Sequence, residues 1–176
     1  MAWSNAPLTR GEVESLTNVW RARGLVPVLI AVASAFAAWA LLLPVVPTAV
    51  IDADQPASLA GLSTGVFMLA TVITQVFVPK ALKTVGYRWV IAVASLLLGI
   101  PALGYMIGME PAPLLAVSAI RGVGFGALSV AEAAIVAELV PLRLLGSATG
   151  IFGVVVGLAQ MVALPSGLAL VDVIGY

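Results

Sequence analysis

The chain has 176 residues, of which 62% are hydrophobic and only 9% charged, and its mean hydropathy is +1.16. That excludes a water-soluble domain with an ordinary core and points to a membrane protein. Eight basic residues balance eight acidic ones, and histidine and cysteine are both missing, which removes disulfides, thiolate catalysis, sulfur-ligated metals and the commonest general base. No cofactor or metal site is expected, and nothing supports nucleic-acid binding.

Residues 1–24 read as a polar cytoplasmic leader. Thr9 and Glu12 are spaced as a capping box. Val13, Leu16 and Trp20 fall on one helical face, so a short helix lying along the membrane surface is one reading, with Arg21 and Arg23 at the headgroups. An unstructured leader is the other. A cleaved signal peptide fits poorly, because the apolar run that follows has the length of a full membrane span.

Five apolar stretches follow, at about 25–47, 59–78, 88–108, 113–137 and 147–171, each long enough to cross roughly 30 Å of hydrocarbon. The fold expected is therefore an all-α integral membrane protein with five transmembrane helices. Pro44 and Pro47 are expected to end the first span, and Pro101 to kink the third. Arg10, Arg21, Arg23, Lys80, Lys83, Arg88 and Arg143 all fall in connections on one side, and no Lys or Arg falls on the other. By the positive-inside rule the N-terminus is cytoplasmic and Asp52, Glu110 and Tyr176 face outward, in a protein integral to the cytoplasmic membrane.

The fourth span, PLLAVSAIRGVGFGALSVAEAAIVA, is the functional suspect because it carries Arg121 and Glu132. A charge at the bilayer centre costs about 2.5–3.5 kcal/mol on insertion scales, so these side chains must face protein, water or solute. Eleven residues of helix bring them back to within about 20° of each other but about 16 Å apart along the axis. They share a face and cannot pair with each other. Arg121 is either a cavity residue that attracts an anionic group or couples to proton movement, or a structural arginine on helix-end carbonyls. Glu132 is either a proton carrier or a carboxyl hydrogen-bonded to a neighbouring helix. Gln75 and Gln160 either line the cavity or bond across helices.

Small residues recur at helix-packing spacing: Gly61 and Gly65, Gly104 and Gly108, Gly122 and Gly126, then Gly146, Gly150, Gly153 and Gly157 along the fifth span. Plain helix packing accounts for them, since close backbone approach replaces the hydrophobic drive that lipid removes.

Three segments resemble the major facilitator superfamily. In VPKALKTVGYRWV, Gly86 and Arg88 match the short cytoplasmic loop of such transporters, while Pro79 and Lys83 stand where Gly and an acid are usual. AIRGVGFGAL is similar to the family's fourth-helix motif, which implies that Arg121 faces the central cavity. AELVPLRLLG resembles the inner end of helix four, with Glu138, Pro141 and Arg143 in the matching places. The resemblance implies that Gly86, Arg88, Glu138 and Arg143 belong to a cytoplasmic gate held by ion pairs, one partner short because of Lys83. It also implies a secondary transporter that moves a small solute across the cytoplasmic membrane by alternating access, coupled to an ion such as the proton.

The family has twelve helices in two halves, so the chain is expected to be an N-terminal fragment that lacks helix six and the second half. Alone it should insert, move no solute, and either associate with itself, hiding the polar stripe, or be degraded. An enzyme is not expected, since Asp52, Asp54 and Asp172 lie in loops or at a helix end and no histidine or metal ligand accompanies them. A small structural or assembly subunit is the alternative, but it leaves Arg121 and Glu132 on one face without a reason.

Overall fold

A computed structural model describes residues 10–106 and 108–174. A one-turn helix α1 (Arg10–Glu14) and a 3-10 turn (Val19–Arg21) lead into α2 (Leu25–Asp52) and α3 (Ala57–Thr84). Then come α4 (Tyr87–Gly99), which continues as a 3-10 segment (Ile100–Met106), and α5 (Pro111–Glu138). A 3-10 turn (Leu142–Leu144) joins it to α6 (Leu145–Ile174). The described residues form no strand, and five helices are long and apolar enough to cross a membrane. The protein is an all-helical, multi-pass membrane protein.

The described part of the leader is not one continuous amphipathic helix, the first of its two readings. Leu16 packs onto the end of the bundle, but Trp20 is exposed. The physical reason is local: the Asn18 side chain accepts from the Trp20 N–H at 3.0 Å and starts a separate 3-10 turn, and Gly24 at φ +91° opens α2. Thr9 and the side chain of Glu12 lie outside the described residues, so the capping box does too.

The first span also runs past the prolines expected to end it, with Pro44 and Pro47 inside α2. Each proline removes the N–H that the carbonyl four residues back would take, Ala40 for Pro44 and Leu43 for Pro47, yet a break in lipid would free more backbone groups than those two. Thr48 donates its hydroxyl to the carbonyls of Pro44 and Val45 at 3.1 and 2.9 Å. At Pro101 the change is of a different kind. The α-helix stops at Gly99 and tightens into the 3-10 segment.

α5 is the central helix. It packs against α3 on one side and α4 on another, and its 28 residues include the largest share of buried positions of any span. α2 and α6 form the other close pair. The fit of α5 against its neighbours is by backbone. A Cβ on Gly122 would lie 2.3 Å from the Phe67 carbonyl oxygen, one on Gly126 would lie 2.5 Å from that of Thr71, and one on Gly124 would lie 2.6 Å from the Leu98 nitrogen. The Thr71 hydroxyl uses this closeness to bond the Gly122 carbonyl across helices at 3.1 Å. Gly61, Gly65, Gly146, Gly150, Gly153 and Gly157 differ, for an added Cβ on any of them meets nothing within 4 Å. Their faces open away from the described bundle.

The core is layered along the helices. At one end Val19, Ala22, Leu25 and Leu29 pack with Val136, Val140 and Ala148. In the middle Phe67, Leu98, Phe125 and Leu128 are joined by Phe36 and Trp39, with Trp39 stacked on Phe125 at 4.7 Å. At the far end Val46, Val50, Leu59 and Leu114 close the bundle.

Candidate functional site

Two of the three charged residues of α5 are inside the bundle: Arg121 is 4% exposed and Glu132 is 2% exposed, while Glu138 at the helix end is exposed. The middle aromatic layer lies between them, because Phe125 and Leu128 are the intervening α5 residues on the inward side. The polar stripe is therefore present but divided.

Arg121 is held by α4. Its Nε donates to the Leu98 carbonyl at 3.1 Å and its Nη1 to the Tyr105 hydroxyl at 3.4 Å. The reason lies in Pro101. A 3-10 turn would pair the Leu98 carbonyl with residue 101, and proline has no N–H to give. The arginine supplies a donor to that carbonyl. Its guanidinium carbon also sits 5.4 Å from the Tyr105 ring centroid and 6.0 Å from that of Phe67, within cation–π range. Part of the structural alternative weighed for Arg121 is thus realised, since a helix carbonyl is bonded. The rest of the side chain borders a cleft with Trp39, Ser63, Thr64, Tyr105 and Ser118. The cleft offers about 30 Å³, room for a water and not for an organic solute.

Glu132 lies on the inward side of α5 one turn from Leu128 and one turn from Val136. Leu128 packs with the Phe36 layer and Val136 with Leu25 and Leu29, so this stretch of α5 runs along α2. The bond to a neighbouring helix expected as the plain alternative is absent at Oε2, which is fully buried and has no hydrogen-bond partner among the described residues. A buried carboxyl oxygen without a hydrogen-bond partner is uncommon in folded proteins.

Gln75 is half-buried and donates from Nε2 to the Ser129 hydroxyl at 3.3 Å, bridging α3 and α5. It does not border the Arg121 cleft.

The four residues expected at a cytoplasmic gate sit close in the chain's architecture but do not bond one another. Gly86, at φ +86°, makes the turn into α4 that a residue with a side chain would adopt only under strain. Arg88, Glu138 and Arg143 are all exposed. Glu138 accepts from the Tyr87 hydroxyl at 2.6 Å, which ties the start of α4 to the end of α5. Arg143 donates from Nη2 to the carbonyl of Glu14 at 2.9 Å and to that of Leu16. The ion-pair set anticipated from the sequence is therefore replaced, among the described residues, by a tyrosine–carboxylate bond and a clasp on the leader. Sequence reasoning missed Tyr87, Tyr105 and Ser118. The only signals were that Tyr87 adjoins Arg88 and that Tyr105 follows the proline of the third span.

Among the described residues no group of three His, Cys, Asp or Glu could hold a metal ion. The arrangement offers instead one buried cation beside a small cleft and one buried carboxyl about 16 Å further along the same helix. Such groups inside a membrane bundle mark solute or ion pathways. A family model described as Major Facilitator Superfamily matches residues 28–176. No curated protein matches the chain at a significant level. Five apolar helices, a central one that buries Arg121 and Glu132, and a match that spans all but the leader and the first turn of α2 lead to one assignment: the chain belongs to the major facilitator superfamily, a family of membrane transporters.

Proposed function

We propose that these helices belong to a secondary active transporter that moves a small solute with an anionic group across the cytoplasmic membrane by alternating access, coupled to protons. The observation that carries this reading is the pair of buried ionisable residues on one side of α5, Arg121 at a cleft and Glu132 with a bare carboxylate oxygen. Arg121 attracts the solute. Glu132 takes up and gives back a proton, and the aromatic layer of Phe36, Trp39 and Phe125 separates the two stations in the state described. Gln75 supports the α3–α5 crossing beside this path.

Gly86, Arg88, Glu138 and Arg143 act at the cytoplasmic end, where the Tyr87–Glu138 bond and the Arg143 clasp hold α4, α5, α6 and the leader together. The N-terminus is on that side, in keeping with the seven basic residues gathered there. The open glycine faces of α3 and α6 are packing surfaces for further helices, in the same chain or in a second copy.

The test is proton dependence in vesicles containing a transporter built on these five helices. Glu132→Gln should abolish accumulation driven by a pH gradient while leaving solute exchange across the membrane, because exchange needs no net proton movement. Unimpaired gradient-driven accumulation by the Gln variant would remove Glu132 from the mechanism.

A further inference from the structure

Arg121 is a buried cation whose described neighbours are all neutral. They are the Leu98 carbonyl, the Tyr105 hydroxyl and the rings of Phe67 and Tyr105. The bond to the carbonyl is of ordinary length, whereas the one to Tyr105, at 3.4 Å, is at the outer limit for a hydrogen bond. The Tyr105 hydroxyl lies 3.2 Å from the Ser118 hydroxyl as well, so it is shared between two partners. Tyr105 also belongs to the 3-10 segment Ile100–Met106, whose hydrogen-bond geometry is poorer than that of the α-helices around it.

A guanidinium prefers a two-oxygen anion, which it grips with two parallel N–H bonds. Here one of those N–H arms is given to a phenol oxygen, and the cleft beside it is too small for a solute. We propose that Tyr105 is an internal competitor at Arg121 that sets the cleft's selectivity: its hydroxyl occupies the arm that a carboxylate, phosphate or sulfonate oxygen takes, and such a group binds by displacing it. The proposal rests on the reading of Arg121 as the solute-facing cation; it narrows the anionic group to a two-oxygen one and gives Tyr105 its role. A neutral hydroxyl on a solute would only exchange one weak bond for another. A two-oxygen anion brings charge to a buried cation that has none opposite it.

The sign of the expected effect separates this role from mere support. Were Tyr105 there to steady the arginine, removing its hydroxyl would weaken anion attraction; as a competitor, its removal strengthens it. Thr64 borders the cleft and is part-exposed, and the chain has no native cysteine, so Thr64→Cys gives a single thiol at the site. In detergent its modification is timed with 2-sulfonatoethyl methanethiosulfonate and with the 2-trimethylammonioethyl reagent, and the ratio of the two rates is compared between variants. Tyr105→Phe, which keeps the ring and removes the hydroxyl, should raise the anionic-to-cationic ratio about two- to tenfold, the range of one modest hydrogen bond. Arg121→Gln should lower the ratio. Arg121→Lys, which keeps the charge without the fork, should hold the ratio above that of the Gln variant and make it insensitive to Tyr105→Phe. If Tyr105→Phe leaves the ratio unchanged or lowers it while Arg121→Gln lowers it, the competitor role is wrong and the solute-facing arginine stands. If neither Arg121 variant changes the ratio, the reading of Arg121 itself is wrong.

Discussion

Replacing Gly126 with alanine places a Cβ 2.5 Å from the Thr71 carbonyl oxygen and 3.1 Å from the Thr74 Cβ. That is roughly 1 Å short of van der Waals contact with a backbone atom, which cannot rotate away, so α3 and α5 must separate along their shared seam. Overpacking of this kind destabilises by about 1–3 kcal/mol. The matched control is Gly157→Ala on α6, where the new methyl meets nothing within 4 Å. There the substitution should be neutral or stabilising by up to about 1 kcal/mol, the helix-propensity gain of Ala over Gly. Unfolding in mixed micelles by titration with dodecyl sulfate reads both. The two variants should differ by about 1–4 kcal/mol, with Gly126→Ala the weaker. Agreement of the pair within about 0.5 kcal/mol would show that the seam is not set by backbone contact at Gly126.

The bond between Tyr87 and Glu138 should appear in a double-mutant cycle of Tyr87→Phe and Glu138→Gln as a coupling of about 1.5–3 kcal/mol at most, reduced by the exposure of Glu138; additive effects would mean that the bond is not formed in the membrane. Arg143→Ala should release the leader, read as faster amide exchange at residues 13–22 with α3 unchanged, and equal exchange in both proteins would contradict the clasp. For topology, a cysteine at position 83 should resist an impermeant reagent added outside intact cells while one at position 54 reacts, and the reverse pattern would invert the assignment.

How far the sequence carries can be followed along α5. Its length, its ends and the inward side shared by Arg121 and Glu132 were legible, because helical period and the cost of charge in lipid act on this segment alone. What holds Arg121 was not. It depends on the carbonyl of Leu98, freed by the changeover at Pro101, and on a tyrosine sixteen residues away in the chain. The glycines divide for the same reason. Spacing marks a small-residue stripe, but only the rotation of each helix about its axis decides whether that stripe meets a neighbour, as at Gly122 and Gly126, or open space, as at Gly150 and Gly153. Gly167, outside any regular series, turns out to be pressed against the Leu41 carbonyl. Pro44 and Pro47 do not end the helix as expected, because in lipid a break would free more backbone groups than the two carbonyls that the prolines leave without a donor.

The central claim is that the buried arginine of α5 serves the solute and not only the Leu98 carbonyl. Its most direct measurement is saturable solute flux in vesicles by a transporter carrying these helices, with Arg121, Arg121→Ala and Arg121→Lys compared at equal amounts of inserted protein. Flux should be lost in the Ala variant and recovered poorly in the Lys variant, since an ammonium cannot reproduce the planar fork of a guanidinium. Full flux by Arg121→Ala would contradict the claim and leave the arginine a structural clasp on α4.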